Sequence, residues 1–207
     1  MLAKALATGD VLSRGRLTAG FGIGGRDEDY RAVGADLSSK TMAGMAERVA
    51  VMKRVWAGEK ITAAMRHVGP SPVQPGGPEI LVGTTGPKTI RSAAAWADGL
   101  AGFELDLDVA RTEMLFDVAG AAWSEAGHPA PRLTTSFWFA LDDGGGAART
   151  QMHRHLRHYM NWLPVDFVDA LAPKAGFAGT EAELVAVLRQ FEDIGADEVQ
   201  LIPTSSD

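Results

Sequence analysis

Between Thr41 and Trp56 apolar residues recur three and four positions apart, with Met42, Met45, Val49, Met52, Val55 and Trp56 on one stripe that Gly58 closes. The pattern predicts an amphipathic helix over 41–56. The same spacing, less regular, predicts helices over 2–12, 88–97, 109–126, 147–162 and 181–194, and a shorter one after Pro164. Pro87 stands where a first helical residue tolerates proline, and Thr180 with Glu183 three residues on reads as a capping box. Short apolar or β-branched runs bounded by turn residues predict strands at 17–24, 79–83, 100–103, 133–141 and 198–203. Residues 25–40 are polar, without an apolar period, and read as a long surface loop. Residues 61–78 allow a short extended piece before their prolines and glycines dismantle regular structure. Strand and helix alternate through five strands, so the class is α/β, a parallel sheet of right-handed βαβ units. No internal repeat or linker divides the chain, which reads as a single domain over 1–207.

Composition narrows the chemistry. Hydrophobic residues at 46% and charged residues at 22% are ordinary globular values. The absence of cysteine removes disulfides, thiolate catalysis and cysteine-ligated metal centres together. A formal charge of −6 disfavours a nucleic-acid partner, because phosphate binding needs a basic surface that releases counterions. No apolar run reaches the roughly 18 residues of a membrane span and no leader pattern opens the chain, so the expected location is the cytoplasm.

Three constellations carry candidate chemistry. Gly20-Phe21-Gly22-Ile23-Gly24-Gly25 formally satisfies the dinucleotide fingerprint G-x-G-x-x-G, but the strong helix predicted after it starts some 15 residues too late to hold a pyrophosphate. Glycines at alternate strand positions instead clear one face for a flat ligand, or serve curvature and close packing alone. In the second, Gly83-Thr84-Thr85-Gly86-Pro87 joins a strand to a helix start whose unpaired amides and two hydroxyls suit a phosphate; a plain capped turn is the alternative. The third is RTQMHRHLRHY, where His155 and His158 stand three apart without an accompanying carboxylate, so a solvated basic face is favoured over a metal site. His67, in the proline-rich loop, has the pKa of an acid or base catalyst, and more often such a residue is merely exposed.

The segments DVLSRGRLTAGFGIGGRDEDYRAVG, ERVAVMKRVWAGE, PVQPGGPEILVGTTGPKTIRSAAAWADG and FAGTEAELVAVLRQFEDIGADEVQLIPT resemble, in order and spacing, the bacterial-luciferase-like flavin-dependent oxidoreductases. The resemblance implies a (β/α)8 barrel with its active site at the C-terminal strand ends. It implies FMN or the deazaflavin coenzyme F420 as cofactor, a small-molecule substrate, and hydride transfer or oxygen activation as in a monooxygenase. Gly22, Ile23, Gly24 and Gly25 would then lie near the cofactor ring or its ribityl chain, and Gly83, Thr84, Thr85 and Gly86 would hold its phosphate. No catalytic residue is identified. The family often carries Trp after the glycine run, where this chain has Gly25. Against the family the first three barrel strands and the last helix are missing, so the expectation is a partial barrel of about five strands. An open parallel sheet exposes edges and an apolar interior, so a homo-oligomer that covers them is expected, or else a fragment of impaired stability. Two other readings stand beside the enzyme: a non-catalytic barrel remnant that dimerises or binds cofactor without turnover, and a Rossmann-like NAD(P)-binding domain.

Overall fold

The computed structural model describes residues 1–63 and 66–204. Its elements run α1 (Leu2–Ser13), β1 (Thr18–Phe21), α2 (Asp27–Ala32), α3 (Met42–Trp56), β2 (Glu79–Val82), α4 (Pro87–Ala93), β3 (Gly99–Ala101), α5 (Val109–Glu125), β4 (Arg132–Leu141), α6 (Ala147–Tyr159), α7 (Val165–Leu171), β5 (Phe177–Gly179), α8 (Glu181–Asp193) and β6 (Glu198–Pro203). All strand pairings are parallel: β1 with β2, β2 with β3, β3 with β4, and β4 with both β5 and β6. The result is an open half-barrel with helices between the strands. The five expected strands are all present.

Alternate residues of β4 show how the layers form. Phe137 stacks on Phe191 of α8 with ring centroids 5.7 Å apart, while its neighbour Trp138 packs against Met152 and Leu156 of α6. Helices therefore cover both faces of this strand. Successive strand residues point to opposite faces, so Phe137 belongs to the outer core and Trp138 to the concave side. The outer core continues through Val82, Ile90, Leu100, Phe116 and Trp123, all buried, and Trp123 donates its indole N–H to the Ala97 carbonyl at 3.1 Å. Burying side chains of this size stabilises by about 1.5–3 kcal/mol each relative to exposure.

At the N-terminal strand ends a polar network spans the sheet. Arg132 of β4 binds Glu79 of β2 at 2.7 Å and Glu198 of β6 at 2.5 Å, and the Thr18 hydroxyl of β1 donates to Glu79 at 2.8 Å. Hydrogen bonding to Glu79 is the main influence on Arg132 and outweighs its burial, holding its pKa above the ordinary arginine value. Gly99 of β3, paired with Arg132, allows the two backbones to approach there, since a Cβ would meet the Arg132 carbonyl oxygen at 2.1 Å.

Three features depart from the sequence reading. The stretch 25–40 contains α2 and a 3-10 turn at Leu37–Ser39 instead of continuous loop. Carboxylates at Asp27, Glu28 and Asp29 suit the positive end of α2, and Lys40 ties back to Asp27 at 2.8 Å. A sixth strand, β5, is only three residues long and contains Gly179, so it carries no period to read. The helix expected over 147–162 stops at Tyr159, leaving Met160 to Leu163 as a turn closed by the Leu163 amide on the Met160 carbonyl at 2.9 Å. The described part of 61–78 contains no helix or strand, and positions 64 and 65 of the expected extended piece lie outside the described residues.

Candidate functional site

Parallel register sets Phe21 beside Val82, which carries the next residues, Gly22 and Gly83, side by side at the C-terminal ends of β1 and β2. The Gly83 amide donates to the Phe21 carbonyl at 2.6 Å. A Cβ on Gly83 would lie 3.3 Å from that carbonyl oxygen and 3.6 Å from the Gly22 Cα, and one on Gly22 would meet the Gly83 carbonyl oxygen at 3.6 Å. Gly20, on the same face two residues earlier, has nothing within 4 Å of its Cβ position. Bare backbone thus floors the sheet at its C-terminal end, where barrels of this kind carry their sites. A flat group can lie against it.

The rest of the two predicted segments extends from this floor. Ile23 offers its carbonyl to the Tyr30 hydroxyl at 3.0 Å, and Gly24 turns the chain with φ of +66°, a left-handed conformation that suits glycine. Gly25 lies under Trp162: a Cβ there would stand 3.3 Å from the Trp162 Cη2. On the β2 side the Thr84 hydroxyl accepts from the Gly86 amide at 3.2 Å, Thr85 is exposed, and α4 begins at Pro87 with no side-chain cap. The structure therefore brings the Gly22 and Gly83 segments together. It carries Gly25 toward α6.

The dinucleotide reading fails on charge. A helix does begin two residues after Gly25, sooner than spacing suggested, but α2 has only six residues and three of its first-turn side chains are carboxylates. A pyrophosphate there would be repelled. The RTQMHRHLRHY cluster also divides. Met152 and Leu156 are buried, His153 and Arg157 engage Asp169 of α7 at 2.8 and 2.5 Å, and His155 stacks on Tyr159 at 5.8 Å. Hydrogen bonds from His153 and Arg157 hold Asp169 below the usual carboxylate pKa, so the cluster fastens α7 to α6. Burial and the nearby His158 charge push the pKa of His155 down. His67 is exposed.

Two groups escaped sequence reasoning. Glu104, just beyond β3, is buried with its carboxylate 3.4 Å from Arg111, which binds Asp106 more closely at 2.6 Å. Burial works against the Arg111 charge, yet Asp106 and Glu104 outweigh it and raise its pKa. The available signal was acidic residues directly after a short strand. Tyr159, the last residue of α6, and Trp162, in the turn after it, line a cleft of about 450 Å³ together with Gly24, Gly25, Arg26, Asp29, His158 and Asn161. Nothing local in the sequence joins them to the glycines. On the other side of the glycine strand a mostly apolar cavity of about 530 Å³ lies among α1, α3 and residues Ile61, Thr62 and Val68, with Leu2, Phe21, Met45 and Val55 in its wall.

Residues 1–201 match the model of the luciferase-like monooxygenase family, and the chain belongs to that family. Similar solved structures include the monooxygenase RslO1 from Streptomyces bottropensis, at 20% identity and a TM-score of 0.74, covering all of this chain and 67% of that one. An F420-dependent secondary alcohol dehydrogenase, in complex with an F420-acetone adduct, is 15% identical with a TM-score of 0.73, covering 100% of this chain and 69% of that chain. The coenzyme F420 dependent tetrahydromethanopterin reductase from Methanopyrus kandleri is 16% identical with a TM-score of 0.71, covering 98% and 72%. At these identities the likeness is one of fold. This chain spans about two thirds of the length of each of these structures. No curated protein matches it. Among the described residues no helix is long and apolar enough to cross a membrane.

Proposed function

We propose that this chain is an oxidoreductase of the luciferase-like family that holds FMN or coenzyme F420 at the C-terminal ends of β1 and β2 and acts on a small organic molecule. The observation that carries this reading is the side-by-side pair Gly22 and Gly83, with open space over Gly20. When bound, such a cofactor supplies hydride transfer or oxygen activation. The chain's own part is binding and exclusion of water. Gly22, Ile23 and Gly24 admit a ring or ribityl chain to backbone distance, while Gly25, covered by Trp162, bounds the site on that side. Gly83 and Gly86, with the Thr84 and Thr85 hydroxyls and the uncapped start of α4, take the phosphate. Titration of purified protein with FMN and with F420 is expected to give a saturable absorbance or fluorescence change with one of them, weakened by Gly83→Val. No spectral change and no thermal shift with either would sink the reading.

The exposed edge of β1 adds a second element. β1 pairs only with β2 among the described residues, and exposed Leu2 and Val51 flank the apolar cavity beside it. A second copy of the chain covers this side in our proposal, since an open strand edge next to apolar surface favours association. Sedimentation at micromolar concentration is expected to show a dimer or larger species. A monomer that melts cooperatively would count against it. The same open edge favours the alternative reading of a barrel remnant without turnover, and cofactor that binds but cannot be reduced by any donor would select that alternative.

A further inference from the structure

Two aromatic side chains, one ending α6 and one in the turn that follows, stand where a cleft opens beside the glycine run. Tyr159 is 57% exposed and Trp162 46% exposed. Tyr159 stacks on His155 with 11° between the rings and takes the edge of buried Trp138 at 5.3 Å. Trp162 rests on the backbone of Gly25, where any Cβ would crowd its Cη2 at 3.3 Å. Large aromatic surface left wet forms a ready platform for a ring, and Tyr159, already set against His155 and Trp138, has little side-chain entropy left to lose on binding. The cleft, at about 450 Å³, lies in the size range of small-molecule sites. Polar groups accompany the rings: His158 and Asn161 line it from the α6 side, and Arg26 from the glycine side. Arg26 is already paired with Asp29 by two contacts of 3.2 Å, so its charge is compensated and a strongly anionic ligand is not called for.

We infer that this cleft is the substrate subsite and that it takes a planar aromatic molecule bearing hydroxyl or carbonyl groups, stacked against Tyr159 and Trp162 and hydrogen-bonded by His158 and Asn161. As the substrate's place this rests on the proposed oxidoreductase function; as a binding site for planar hydroxyaromatics it stands on the cleft alone. Gly25 is then a specificity residue, because its missing side chain seats Trp162.

The test uses 7-hydroxy-4-methylcoumarin as a planar probe and 1-decanol as an apolar chain of no planarity, with binding followed by calorimetry and by quenching of tryptophan fluorescence. Saturable coumarin binding is expected, with affinity falling about tenfold or more in Trp162→Ala, the loss of one aromatic contact surface. Trp162→Phe should retain most of the affinity, and Gly25→Val should lose it by displacing the indole. Trp162 is half exposed, so circular dichroism should show an unchanged fold in both Trp162 variants. Absence of saturable binding, equal affinity in Trp162→Ala, or 1-decanol displacing the coumarin with similar affinity would each overturn the inference. Repeating the titration with and without FMN or F420 separates the two claims. Coumarin binding that persists where neither cofactor binds leaves the subsite standing and removes the oxidoreductase reading.

Discussion

The two ends of the half-barrel are secured in different ways. On the β4 side the sheet is continuous: β4 runs ten residues, is paired along β3, β5 and β6, and has helices on both faces. On the β1 side a four-residue strand has one partner among the described residues, and the helices around it leave a cavity of about 530 Å³. There a smaller core of Ala7, Val49, Met52, Trp56 and Ile80 is supplemented by single polar fastenings. Buried Asp10 of α1 accepts from the backbone amides of Val73 and Gln74 at 2.7 and 3.0 Å and from the Gln74 side chain at 2.7 Å, binding α1 to the loop before β2. The Trp56 indole likewise donates to the Ala3 carbonyl at 2.9 Å. Extended packing spreads its stabilisation over many residues, whereas a clamp concentrates it in one.

That contrast predicts the largest effect at Asp10. Asp10→Ala strands two backbone amides in a buried setting and is expected to cost about 3 kcal/mol, lowering Tm by roughly 6–12 °C in thermal unfolding. A loss below about 1 kcal/mol would show that the N-terminal side is not held by this clamp. Arg132→Met tests the network that joins both ends. It leaves Glu79 and Glu198 without their shared cation, and because the guanidinium is partly solvated the expected cost is about 2 kcal/mol in denaturant unfolding. At the capping box of α8, where the Thr180 hydroxyl accepts from the Glu183 amide at 3.3 Å and Glu183 returns to the Thr180 amide at 2.8 Å, Thr180→Ala should cost about 1 kcal/mol. Hydrogen exchange in this variant should rise in α8 and remain unchanged in α1.

The smallest effect is a pH dependence. Burial alone would raise the Asp10 pKa, but the hydrogen bonds from Gln74 and Val73 outweigh it and hold the carboxyl below its ordinary 3.8. A carboxylate with a depressed folded-state pKa binds fewer protons folded than unfolded, so its contribution is full above pH 3.8 and is lost as pH falls through the lower folded value. Below about pH 4 stability should therefore decline more steeply in the wild type than in Asp10→Asn. Equal slopes would remove Asp10 from the acid response.

Much of the fold was legible because local signals agreed. The stripe from Met42 to Trp56 became α3 with Val49, Met52 and Trp56 buried, and the Thr180–Glu183 box closed as its spacing indicates. Helix α2 was not legible, since its six residues are mainly charged and it is held by contacts that leave the helix, Lys40 on Asp27 and the Tyr30 hydroxyl on the Ile23 carbonyl. Strand β5 exists because its edge finds the C-terminal end of β4. The glycines of the proposed site could be read as gaps in side-chain cover. Their aromatic neighbours could not, because Trp162 reaches Gly25 only after α6 folds back along the concave face.

Sequence alone settled the alternation of five of the strands with their longer helices, the capping box of α8, and the places where backbone would be left bare, because each follows from side-chain size, branching and hydrogen bonding within a few residues. Only tertiary structure decided that Gly22 meets Gly83, that Trp162 lies on Gly25 and that Asp10 holds the loop at Val73 and Gln74. Those contacts join residues far apart in the chain. Their geometry is set by sheet register and helix packing, which no local pattern contains.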